Sequence, residues 1–122
     1  MRVSFILPVA SLSGGIRVVA IYAQALAERG HQVTVISRPP SQSRFLARLA
    51  HFFKNARWPA RIDAPKSHLD SLNIDHRVLD RHRTVSDADV PSGDVVVATW
   101  WETAEEVHRL PLSKGAKAYF IQ

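Results

Sequence analysis

Apolar positions along this chain recur with two different periods, and the alternation between those periods predicts the architecture. "VSFIL" within residues 2–7 is a continuous apolar run of strand length, expected to end at Pro8. From Gly15 to Arg29 the spacing changes: Ile16, Val19, Ala20, Ala23, Leu26 and Ala27 fall on one face of a helix. Ser13 stands where an N-cap belongs, and Gly30 where a left-handed C-terminal residue is expected. "HQVTVIS" (31–37) then predicts a second strand, so the first 37 residues form one strand–helix–strand unit with parallel strands.

The pattern weakens before it returns. Residues 41–56 have helical spacing, a loop with Pro59 and Pro65 follows, and "SHLDSLNI" predicts a helical turn. "DHRVLD" (75–80) predicts a third strand, and "RTVSDADVPSG" a connecting loop. The β-branched "DVVVATW" (94–100) predicts a fully buried strand. "WETAEEVHRL" (101–110) predicts a short helix, acidic at its start and basic at its end, as the helix dipole favours. "AKAYFIQ" (116–122) predicts a fifth strand. The expected fold is α/β: one domain over 1–122, an open, parallel, doubly wound sheet of about five strands with helices on both faces.

In such sheets ligands bind beyond the carboxyl ends of the strands. "SLSGG" (11–15) lies there for the first strand. Two glycines let main-chain N–H groups approach an anion without an intervening Cβ, and the helix start supplies unpaired donors. Ser13, Gly14, Gly15 and Arg17 are therefore a candidate phosphate loop, although a glycine pair also suits a bare tight turn. Neither a dinucleotide G-x-G-x-x-G nor a P-loop G-K-[ST] is present. Beside the loop, Trp100 and Trp101 could stack on a sugar ring and Glu102 could accept its hydroxyls. Ser37 and Arg38, ending the second strand, are similarly positioned. The alternatives are packing for the tryptophans and an ordinary solvated loop for Ser37 and Arg38.

Charge adds a second candidate surface. The 122 residues carry a net +5, and none of the 11 acids lies between Glu28 and Asp63. Within that gap Arg44, Phe45, Arg48, Phe52, Lys54 and Trp58 combine basic and apolar residues at helical spacing, which suits an anionic membrane surface. Packing on the sheet would use the same apolar stripe. The chain has no cysteine, so a disulfide framework and thiolate metal sites are excluded. The six histidines show no metal spacing and no cofactor is expected. The aromatic residues form no strand-borne stacking platform, so no nucleic-acid partner is expected either. The apolar start is too short for a leader and no run reaches membrane-spanning length, which points to a cytoplasmic protein.

Residues 1–37, with "SLSGG" before the helix and "LAERGHQVTV" closing it, resemble the N-terminal domain of the retaining glycosyltransferases of family 4. "GDVVVAT" and "AKAYFIQ" extend the likeness; 38–90 does not share it. The resemblance implies one half of a GT-B fold, in which the glycine loop faces the diphosphate of a nucleotide sugar. It implies a glycan or lipid-linked acceptor held on this half, in bacterial surface polysaccharide or glycolipid synthesis, at the inner face of the plasma membrane. It also implies a C-terminal nucleotide-binding domain outside these residues, no catalytic residue within them, and no turnover by the chain alone. The competing expectation is a non-catalytic Rossmann-like module that docks to a membrane or acidic partner through 44–61.

Overall fold

The computed structural model describes residues 1–40 and 67–121. The membrane-contact candidates Arg44, Phe45, Arg48, Phe52, Lys54 and Trp58, and the helix expected over 41–56, lie outside the described residues. Five strands form one sheet: β1 (Arg2–Val9), β2 (Gln32–Arg38), β3 (Asp75–Val78), β4 (Val95–Ala98) and β5 (Ala116–Tyr119). All pairings are parallel and the order is β3-β2-β1-β4-β5. Chain order therefore reverses between β1 and β4, at the centre of the sheet. Two helices, α1 (Gly14–Glu28) and α2 (Trp101–Arg109), complete the regular structure among the described residues, with short 3₁₀ turns at Asp87–Asp89 and Leu112–Lys114.

The strand alternation sorts side chains between two cores. Val3, Phe5 and Leu7 of β1 with Val33 and Val35 of β2 meet Ile16, Val19, Ala20 and Ala23 of α1. Ile6, Ile36, Val96 and Ala98 point the other way, to Val107 and Leu110 at the end of α2. Leu79, Val85 and Val90, from the irregular connection between β3 and β4, finish that second core. Helices thus lie on both faces, as a buried parallel sheet requires.

Local chemistry explains the boundaries. Pro8 does not end β1: the pairing steps from Leu7↔Ser37 to Val9↔Arg38, so the proline sits in a bulge where no ladder N–H is needed. α1 ends in a Schellman motif, with Gly30 at φ +84°, its N–H on the Ala27 carbonyl and the His31 N–H on that of Leu26. Before β5, Gly115 has φ +105°, and a Cβ there would stand 2.3 Å from the Asp94 carbonyl carbon. Only glycine fits that approach. No helix among the described residues is long and apolar enough to cross a membrane.

Candidate functional site

The loop after β1 and the residues after β4 leave adjacent strands towards opposite faces, because α1 and α2 pack on different sides of the sheet. Open α/β sheets bind ligands beyond the carboxyl ends of their strands at such a reversal of order. One wall of such a site would be the start of α1. Ser13 occupies the N-cap position with extended backbone (φ −66°, ψ 154°), yet its side chain makes no capping bond. Its hydroxyl instead accepts from Ser11 Oγ at 3.1 Å, while its N–H donates to Ser11 Oγ at 3.3 Å. The first α1 amide with a main-chain acceptor is that of Arg17, bonded to the Ser13 carbonyl at 3.1 Å. The N–H groups of Gly14, Gly15 and Ile16 have no partner among the described residues. No acid lies in this first turn.

The two readings of the glycine pair separate here. Neither Gly14 nor Gly15 has a positive φ, so the turn itself does not demand glycine. A Cβ added at Gly14 would meet nothing within 4 Å. Nothing packed around Gly14, the first residue of α1, requires a glycine there. Exposed Gly14 and Arg17, the latter without an ion pair among the described residues, leave this helix start bare and electropositive. The loop is braced from behind, where His68 Nε2 lies 3.2 Å from the Leu12 carbonyl oxygen.

The other wall begins where β4 becomes α2. Thr103, fully buried, accepts the N–H of Thr99 at 3.1 Å and that of Trp100 at 2.9 Å through Oγ1, which holds the strand-to-helix turn rigid. That fixes Trp100 and Trp101 where β4 gives way to α2, half-exposed at 49% and 59%. Glu102 follows in the first turn of α2, its side chain half-exposed.

Ser37 and Arg38 are not on a solvated loop. Ser37 is fully enclosed, its hydroxyl 2.9 Å from His76 Nε2, so it offers no surface to a ligand. Burial holds the His76 pKa below the ordinary histidine value, against the opposing pull of the Asp70 and Asp75 carboxylates. Arg38 is 6% exposed and ion-paired to Glu106, itself 5% exposed, and to Glu102 at 3.3 Å. Glu106 also accepts the Val85 N–H at 3.2 Å. The structure therefore brings Arg38 and Glu102 together, as partners of each other, and Arg38 anchors α2 to the end of β2. Glu106 was not anticipated. Its signal was present: Glu102 and Glu106 stand four apart on a helix whose apolar stripe includes Val107, and a carboxylate turned inward implies a buried cation.

No cluster of three or more His, Asp or Glu side chains suited to a metal ion occurs among the described residues. The chain matches no protein-family model, no curated protein and no solved structure.

Proposed function

We propose that this chain is the acceptor-side domain of a retaining glycosyltransferase that uses a nucleotide-sugar donor. One observation carries the reading: three N–H groups, at Gly14, Gly15 and Ile16, have no partner among the described residues and stand after β1, where strand order reverses. Such a helix start favours an oxyanion through its dipole and its free donors together. Gly14 leaves room for a phosphate oxygen to reach the main chain, and the Arg17 guanidinium can add a charge-assisted bond. In the transfer step the donor's diphosphate gains negative charge as the glycosidic bond to it breaks. Preorganised amides aimed at that charge stabilise the transition state more than the ground state.

After β4, Trp100 and Trp101 present aromatic surface for sugar stacking, and the half-exposed Glu102 carboxylate accepts hydroxyl donors. Ser37 and Arg38 have no part in contacting acceptor; their roles are internal. The acceptor class consistent with this wall is a neutral glycan or glycolipid.

The test is titration of the ¹⁵N-labelled chain with UDP, GDP and inorganic pyrophosphate, followed by amide chemical shifts. Two or three amide–phosphate bonds on an exposed helix start correspond to a Kd of about 1 mM. Saturating shifts at Gly14, Gly15, Ile16 and Arg17, abolished in Gly14→Val, are expected. Silence of these four amides towards all three anions would remove the phosphate loop from the reading.

A further inference from the structure

One face of the sheet is anomalous in another way. Strands of a parallel sheet are normally apolar on both faces because both are covered. On the α2 side of this sheet that holds for Ile6, Ile36, Val96 and Ala98, which are packed. The same face also carries Arg2 and Ser4 on β1, Gln32 and Thr34 on β2, and Asp75 and Arg77 on β3, with Ser4 level with Val96 and Arg77 level with Ile36. With Pro91 and Ser92 these residues line a half-open recess of about 370 Å³. That volume lies within the range of small-molecule sites.

The bonding in the pocket is incomplete in a directed way. Arg77 engages Asp75 Oδ2 at 2.7–2.9 Å, and Thr34 Oγ1 lies 3.3 Å from the same oxygen. Asp75 Oδ1 has no partner among the described residues. The Arg2 guanidinium, the Gln32 amide and the hydroxyls of Ser4 and Ser92 are likewise unpartnered there. Ser4 is only 2% exposed, an unusual place for a hydroxyl on a central strand. The adjacent Asp94 carboxylate, outside the lining, accepts the Arg2 N–H at 2.6 Å through Oδ2 and keeps its charge. Within the lining Arg77 is paired to Asp75, which leaves the Arg2 guanidinium without an ion-pair partner among the described residues and one free carboxylate oxygen on Asp75.

We infer that this pocket binds a small hydroxylated oxyanion, a phosphate monoester on a sugar-sized body. Arg2 and Ser92 hold the oxyanion, while Asp75 Oδ1 and Gln32 accept and donate to hydroxyls. The site lies at the amino ends of β1, β2 and β3, at the opposite edge from Gly14, so it stands or falls separately from the phosphate loop.

Amide shifts of the ¹⁵N-labelled chain, titrated with glucose 6-phosphate and with inorganic phosphate at constant ionic strength, test it. Saturable shifts at Ser4, Gln32, Thr34 and Ser92 are expected, tighter for the sugar phosphate. Arg2→Ala removes an exposed side chain while keeping the main-chain bonds of Arg2 to Asp94, and should weaken half-saturation about tenfold. Gln32→Ala, also at an exposed position, should narrow the preference for the sugar phosphate over phosphate. Shifts confined to Gly14–Arg17, shifts reproduced by chloride, or binding unchanged in Arg2→Ala would each overturn the assignment.

Discussion

Glu106→Ala should be among the most damaging single substitutions in this fold, and its size follows from what it leaves behind. Arg38 is 6% exposed and its Nε already lacks a partner. Removing Glu106 leaves the guanidinium with Glu102 alone, a half-exposed carboxylate at 3.3 Å, and strips the Val85 N–H of its acceptor. Breaking one side of a buried ion pair costs about 3–5 kcal/mol, and a chain of this size has only about 5–15 kcal/mol in total. With a urea m-value of about 2 kcal/mol/M, the midpoint should fall by about 2 M. Circular dichroism during urea unfolding reads this directly. Replacing both partners, in Arg38→Met with Glu106→Leu, removes the uncompensated charge and should recover most of the loss. The double-mutant cycle should therefore show a coupling of at least about 2 kcal/mol. A Glu106→Ala midpoint within 0.5 M of the parent (~1 kcal/mol at that slope), or simply additive single losses, would refute the claim that this pair anchors α2 to β2. Glu102→Ala should cost less than about 1 kcal/mol because its charge is already half in water.

Gly14→Ala should raise thermal stability by about 0.4–1 kcal/mol, since its backbone suits any residue and its Cβ meets nothing; a fall in Tm would mean that glycine is needed by the fold. Gly115→Ala should do the reverse and cost at least about 3 kcal/mol, because φ is +105° and the new Cβ would collide with main-chain atoms of Asp94 and Val95. Acid should destabilise in two windows. His76 has a lowered pKa through burial, so the folded state binds fewer protons and stability falls as pH drops below about 6.5. Asp89, held by Arg83 at 2.7 and 2.8 Å, has its pKa depressed; its contribution is present above about pH 4 and lost as pH falls through the folded value. Urea midpoints between pH 3 and 8 for Asp89→Asn should lose the lower window and keep the upper one.

Much of the sheet was legible because its central strands are written as short continuous apolar runs and its first helix at period 3.6. Gly30 marked the end of α1 through its demand for positive φ. Pro8 misled, since a proline stops a strand only where its missing N–H would be used, and the bulge at Leu7/Val9 makes it redundant. The covering of the second core by Leu79, Val85 and Val90 was invisible because irregular chain has no period. Ser37 and Arg38 were correctly located at a strand end but turned inward, a matter of what packs over β2 and not of β2 itself. The polar positions of that sheet face were also in plain sight: "QVTV" alternates, and Ser4 interrupts "RVSFIL", though the run looks uniformly apolar when strands are sought by hydrophobicity.

The reversal of strand order between β1 and β4 separates two requirements that most folds entangle. Gly14, Trp100 and Trp101, at the carboxyl end of the sheet, are exposed and belong to neither core. Their exchange should carry little thermodynamic penalty, whereas the buried Arg38, Thr103 and Glu106 should tolerate single substitution poorly. On the proposed reading, a change of ligand preference would fall to two short loops and leave the buried frame untouched.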